Sequence, residues 1–430
     1  MNAVIRRSSP AVAAATLAAL AVLGPAPSAR AGFVQGTLVV LRVGDGTNPA
    51  AFAAGGTSAQ SVSLDVYGAT TGALLGTHAM PAAAGDAARV VLSAKSDDHD
   101  GHLNLSADGQ YLTFAGYRAD PGSAYPAALS AAAAPRVVAR VGGTFAADTS
   151  TTLAGAYSGV TITAAASTDG TRFWTVGGNE ATGTGGLRYV AGVGGTGSVN
   201  VSRTQTGANA DSYRNVRVVG GQLVANTASQ GSFANRGAYR MSINGGLPAA
   251  ASATASTATG VIVNQEGSLT DAAGNADADG KGKNHPKSDS VFVDVNGDGT
   301  AETAYTTGGK EDLEKWNLSA GGQWLRTDNV TFASLAEINA LDYAVSGGVV
   351  SVFASTDGGI YRLADAGGVG GPISSAAVNA SRVFTDGYFI PAGSGTQFRG
   401  LAVVPEPAGL AVFGFAAAAG LLARRRRGQR

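Results

Sequence analysis

The chain has 430 residues, more than one ordinary core holds unless the fold is a repeat, barrel or propeller. Gly is high at 63, charged residues are low at 14% and hydrophobic ones reach 44%, which excludes a disordered chain and points to a core of small and β-branched side chains. There is no cysteine, so disulfides, thiolate metal sites and cysteine nucleophiles are excluded together. The formal net charge of zero hides an asymmetry. Arg6, Arg7, Arg30, Arg424, Arg425, Arg426, Arg427 and Arg430 lie in the two ends, and taking those eight from 30 leaves 22 basic against 30 acidic residues. An acidic body argues against a nucleic-acid partner.

The N-terminus carries Arg6 and Arg7, then an apolar run over 11–23 and the triplet Ala29-Arg30-Ala31. A positive start, a short greasy helix and an A-x-A site are the parts of a secretory signal peptide. Residues 1–31 are therefore read as a leader for the export machinery, cut after Ala31. The exported body is expected over 32–403.

Strand and turn signals then recur without a long helical period. Residues 38–43 (LVVLRV) form a β-rich run closed by Gly44-Asp45-Gly46. Residues 103–117 and 165–176 each hold two short strands, around Asp108-Gly109 and Asp169-Gly170. Residues 215–225 and 343–354 do the same around Gly220-Gly221 and Gly347-Gly348. Such dipeptides between apolar residues predict tight hairpins, because they tolerate the positive φ these turns require. A further short strand follows each hairpin, at 186–190, 236–240, 312–316 and 359–363.

Turn glycines at 109, 170, 221, 299 and 348 are spaced by 61, 51, 78 and 49 residues. Roughly 50 residues per unit suits one four-stranded propeller blade. The sequence thus predicts an all-β propeller of about seven blades, within six to eight, with a β-sandwich or β-solenoid as the alternative. Residues 37–42 and 398–404 are both strands and are expected to close the ring together, hiding sheet edges. Segments 249–260 and 271–290, low in complexity and rich in Gly and charge, read as one long exposed loop.

Several constellations bear on chemistry. Asp97-Asp98-His99-Asp100-Gly101-His102 places two histidines among acids, but no third ligand group supports a metal, and a solvated loop is the simpler reading. Asp294, Asn296, Asp298, Thr300 and Glu302 set oxygen donors at alternate positions around Gly299, a spacing that can wrap a hard cation in a hairpin loop. Tyr305 stands where an EF-hand needs a bidentate Glu. The loop instead resembles the calcium loops of integrin-type propeller blades, which implies Ca2+ as a cofactor held by those side chains and the Thr300 carbonyl. The plain alternative is a polar turn. His78, His99, His102 and His285 fall in no catalytic motif, and neither a Gly-x-Ser-x-Gly elbow nor a phosphate loop occurs. Trp174, Trp316 and Trp324 read as blade-core residues, the alternative being a sugar-binding platform.

The C-terminal segment, 404–430, runs Val404-Pro405-Glu406-Pro407, an apolar helix over 408–423, then Arg424, Arg425, Arg426 and Arg427. Sixteen apolar residues approach a bilayer span, and the arginines would stay cytoplasmic. This order resembles the PEP-CTERM sorting signal of Gram-negative bacteria. The resemblance implies an exosortase as partner and transient anchoring in the inner membrane, with final placement at the cell envelope or extracellular surface. The body is similar to PEP-CTERM proteins with a propeller-like exported domain, through residues 36–47, 105–117, 167–174, 314–325 and 398–407. The expected role is a non-enzymatic surface or matrix protein that binds polysaccharide or another surface protein. The alternative is a secreted propeller lyase or glycoside hydrolase.

Overall fold

In β1 (Thr37–Val43) every residue but Arg42 is buried, so the strand has no solvent side. Leu38 and Val40 pack toward one neighbouring sheet, while Val39, Leu41 and Val43 pack toward the other. A strand covered on both faces reads as an unbroken apolar run, which is why LVVLRV shows no polar period. The structure, a computed structural model, describes residues 32–405 other than 53–55, 96–98, 179–182, 203–211, 228–236, 243–245, 250–256, 260–287, 297, 299, 308–311, 323 and 333–336.

The strands that follow are β2 (Ala59–Gln60), β3 (Val62–Gly68), β4 (Leu74–Ala79), β5 (Leu92–Ser93), β6 (Asn104–Leu105), β7 (Tyr111–Tyr117), β8 (Arg136–Gly142) and β9 (Ala147–Leu153). Next come β10 (Ile162–Ser167), β11 (Phe173–Gly177), β12 (Arg188–Val190), β13 (Val199–Asn200), β14 (Tyr213–Val219), β15 (Gln222–Thr227), β16 (Gly237–Ser242) and β17 (Thr257–Thr259). The last are β18 (Ser290–Val293), β19 (Thr303–Thr307), β20 (Asp312–Leu318), β21 (Trp324–Phe332), β22 (Ala340–Ser346), β23 (Val349–Thr356), β24 (Gly359–Asp365), β25 (Val383–Phe384), β26 (Ile390–Pro391) and β27 (Gln397–Val404).

Among the described residues these make five four-stranded sheets, one five-stranded sheet and the small pair β2–β5. In ring order the large sheets, here blades 1 to 6, are β27-β1-β3-β4, β6-β7-β8-β9, β10-β11-β12-β13, β14-β15-β16-β17, β18-β19-β20-β21-β25 and β22-β23-β24-β26. Apolar clusters fill the gaps between consecutive blades. Leu41 and Phe114 share one cluster, Tyr117 and Phe173 another, and so do Trp174 with Leu223, Val224 with Phe292, Tyr305 with Val352, and Phe353 with Leu401. The fold is a closed β-propeller. Among the described residues the ring holds six blades, within the expected six to eight and one below the central value of seven. The difference lies in the connections, because 80–91 and 366–382 lengthen the chain without adding a blade strand.

Closure occurs as expected, with β1 antiparallel to β27 from Thr37↔Val404 to Val43↔Gln397 and with Gly36 N donating to Val404 O at 3.0 Å. The closing strand β27 ends at Val404. Each predicted hairpin joins the two innermost strands of its blade, with Gly109 and Gly348 at φ 70 and 79. Within the expected 249–290 loop, Thr257–Thr259 is instead the outer strand of blade 4. The innermost strands β27, β6, β10, β14, β18 and β22 run in a common direction, as where His102 N and Ala107 N donate to Thr163 O and Ser167 O. They begin at one face, the inlet, and end at the other, the outlet. Among the described residues no helix is long and apolar enough to cross a membrane, and both segments read as helices, 1–31 and 406–430, lie outside those residues.

Between blades 5 and 6, Lys315 Nζ lies 2.7 Å from Asp365 Oδ2, each side chain only 1% exposed. Lys315 also donates to Gly368 O, Tyr305 OH donates to Asp365 Oδ2, and Oδ1 accepts from the amides of Gly367 and Ser374. A buried pair this well satisfied is costly to break from one side. Lys315→Met should lower the unfolding free energy by about 3–5 kcal/mol, the usual loss when one buried charge is stranded. Adding Asp365→Asn, which keeps the acceptor and drops the charge, should recover part of that loss in urea melts.

Candidate functional site

The acidic loop joins β18 to β19 at the outlet face. Carboxylate oxygens of Asp294, Asp298 and Glu302 lie within 4.8 Å of one another. The turn is held by its own side chains. Asp298 N donates to Asp294 Oδ1 and Asn296 Oδ1, Thr300 N to Asp298 Oδ1, and Asn296 Nδ2 to Asp298 Oδ2. Glu302 Oε2 accepts from Val295 N at 3.2 Å, while its Oε1 is buried with no hydrogen-bond partner. Three of the five predicted ligands therefore converge, and Asn296 and Thr300 reach the group through Asp298. Hard oxygen donors with one unsatisfied carboxylate oxygen fit a calcium-type ion.

At the axis the inner strands converge on buried polar side chains. Asp289, immediately before β18, is fully buried. Its Oδ1 accepts from Asn215 Nδ2 at 2.7 Å and Ser290 N at 2.8 Å, and its Oδ2 from Arg217 Nη2 at 2.7 Å and Leu341 N at 2.9 Å. Asn104 Nδ2 reaches Ala165 O, Val216 O and Asn215 Oδ1. Asp342 accepts from Val403 N at 2.8 Å and faces Arg217 Nη1 at 3.8 Å. All six blades contribute a group to this network.

Electrostatics follow from that burial. Burial alone would raise the Asp289 carboxyl, but Arg217 and His102 outweigh it and hold it below the ordinary aspartate value. Asp342 is raised, since burial there exceeds the help from Arg217. His102, with Nδ1 3.9 Å from Asp289 Oδ2, is pushed by burial to about 4 despite the aspartate. The carboxylates at the axis are thus engaged with the protein's own donors, and the imidazole is neutral near pH 7.

The His99–His102 segment splits. His99, at φ 50, turns its Nε2 to Glu337 Oε1 at 3.4 Å, Asp100 Oδ2 accepts from Ser93 N, and His102 points to the axis. Far from being a solvated loop, His99, Asp100 and His102 are buried. Asp97, Asp98 and His285 lie outside the described residues. Trp174 and Trp316 are buried core residues, and Trp324 packs edge-on against Phe292, so none forms an open platform. The axial residues Asn104, Asn215, Arg217 and Asp342 were not singled out from the sequence. Their signal is positional: Asn104, Asn215 and Asp342 each stand five residues ahead of a turn glycine, Gly109, Gly220 and Gly347.

No family model and no curated protein matches the chain. Among solved structures it is similar to the Cps50 (Swd1) β-propeller domain of Myceliophteria thermophila, at 8% identity and a TM-score of 0.36, over 71% of this chain and 78% of that one. It is also similar to the dihydro-heme d1 dehydrogenase NirN in complex with DHE, at 11% identity and a TM-score of 0.35, over 79% of this chain and 54% of that one. This chain thus spans about half of the second protein. Likeness at this level says nothing of activity.

The His102 environment makes stability depend on pH. The unfolded imidazole titrates at 6.5 and the folded one at about 4, so the unfolded chain binds the proton first. This contribution is complete above 6.5 and is lost as pH falls toward 4, a span worth about 3 kcal/mol by linkage. Asp342, raised in the fold, acts in the opposite sense. Urea unfolding across that window should therefore show a steeper acid loss in the wild type than in His102→Gln, and equal slopes would refute this assignment.

Proposed function

We propose that this chain is an exported propeller delivered to the envelope of a Gram-negative bacterium by its Pro405-Glu406-Pro407 tail, where it serves as a non-enzymatic binding or structural protein. The observation that carries this reading is the placement of the two ends. Thr37 and Val404 are paired in blade 1, so only residues 32–36 separate the ring from the expected cut site, and the chain leaves it directly into Pro405-Glu406-Pro407. Removal of both terminal segments would leave the ring and its closing strand whole.

The lack of an enzymatic assignment rests on the axis, where a propeller enzyme would need available carboxylates or imidazole. Asp289 and Asp342 are committed to donors from neighbouring blades, and His102 is buried. The ligand class that suits an exported surface propeller is a polysaccharide or another surface protein. A glycan array probed with the protein released from cells should yield selective binding, and turnover of a bound glycan would instead favour a lyase or glycoside hydrolase. Mass spectrometry of that protein should place its termini near Gly32 and Pro407. An intact Arg424–Arg427 block on surface-exposed protein would replace the sorting signal with a simple anchor.

Within the same reading, Asp294, Asp298 and Glu302 would hold Ca2+ and stiffen the β18–β19 loop, supported by the buried, unpartnered Glu302 Oε1. Calcium at a hundred times its Kd should raise stability by about 2.7 kcal/mol. Asp298→Ala should remove that gain, and identical calcium responses in the two proteins would eliminate the site.

A further inference from the structure

Most large apolar side chains that remain exposed lie on one face. Among the described residues there are eight: Val34, Leu74, Leu75, Val193, Leu325, Val345, Val369 and Tyr388. The strand directions assign them to faces. Val34 precedes β1, and Leu74 and Leu75 open β4, all at the outlet end where Thr37 meets Val404 and Gly68. Leu325 opens β21, Val345 closes β22 and Val369 follows β24, at outlet turns of blades 5 and 6. Val193, between β12 and β13, lies instead at the rim, in a turn that runs along β9 of blade 2, where Thr152 N donates to Gly195 O. Tyr388 lies on the inlet side, against Gly358 in the β23–β24 turn. Isolated exposed aliphatics are ordinary on a protein surface. Six of eight on a single face of a closed ring are not an even scatter.

That face is also where the chain leaves. β27 ends at Val404, and the apolar run begins at Ala408. From Pro405 to Ala408 is three residue steps, about 10 Å at full extension. An apolar run inserted in a bilayer, with its arginines on the far side, would hold the outlet face within headgroup range. The body is acidic once the terminal arginines are set aside, so charge attraction to anionic lipid does not supply the contact. Exposed Leu and Val can, by entering the boundary between headgroups and acyl chains.

We propose that the outlet face, through Leu74, Leu75, Leu325 and Val369, rests on the lipid surface while the tail is uncut, so that the inlet face points away from the membrane. This rests on the reading of 404–430 as a membrane-inserted sorting segment. The chain has no cysteine, so single sites can be labelled cleanly. Leu75→Cys and Val369→Cys at the outlet, and the exposed Asn48→Cys at the inlet, would each carry an environment-sensitive fluorophore in the full chain. The proteins are reconstituted in phosphatidylcholine vesicles with or without a lipid spin-labelled near its headgroup. The expected result is blue-shifted emission at Leu75 and Val369 that the spin label quenches, with neither effect at Asn48. Co-flotation with the vesicles but no quenching at either outlet site overturns the inference and leaves the anchoring reading in place. Failure to float with the vesicles overturns both.

Discussion

The ring turns on one buried carboxylate. Apolar packing between blades is strong but non-directional, so by itself it would let one blade slide or tilt against the next. Asp289 removes that freedom. It is fully buried at the axis, where an unpaired charge is costly, and its oxygens accept from Asn215 and Arg217 of blade 4, its own blade's Ser290 and Leu341 of blade 6. Each donor must lie in register for the group to be tolerated at all. Asn104 and Asp342 extend the same constraint to blade 3 and to the closing strand of blade 1. The polar network thus sets the register that the Leu, Val and Phe clusters then fill.

The same commitment decides what the axis offers a ligand. Carboxylates and a histidine in the middle of a propeller look like the makings of an active site. Here the carboxylates of Asp289 and Asp342 accept from neighbouring strands, and His102 is buried beside them. The acidic hairpin and several exposed aliphatic side chains lie at the outlet.

Much of the architecture was legible because its signals are local. Tight hairpins demand particular residues, so Asp108-Gly109, Asp169-Gly170, Gly220-Gly221 and Gly347-Gly348 mark the inner turns directly. Closure was legible because 37–42 and 398–404 are strand-like runs at the two ends of the body, which joined in one blade hide their sheet edges. The blade number was legible only as a range of six to eight, since an average period cannot separate a blade strand from an excursion such as 366–382. The axis was hidden for a different reason. Its members come from separate blades, and a single Asn or Asp inside a strand looks like an ordinary polar residue until the ring places the others beside it. The acidic loop falls between these cases: spacing revealed Asp294, Asp298 and Glu302, but not that Asn296 and Thr300 reach the group through Asp298.

The closing ladder has a mechanical consequence. β27 lies between β1 and the axis, and the chain passes from its outlet end into Pro405. A pull on Pro405 directed away from the outlet face would act along the strand, parallel to its neighbours and across its hydrogen bonds. The β1–β27 pairing from Thr37 to Val43 would have to yield together in shear, instead of opening bond by bond as a peeled edge does. An attachment at the opposite end of an outer strand such as β4 would unzip under far less force. Leaving the ring from its innermost strand, the chain would load that ladder in shear.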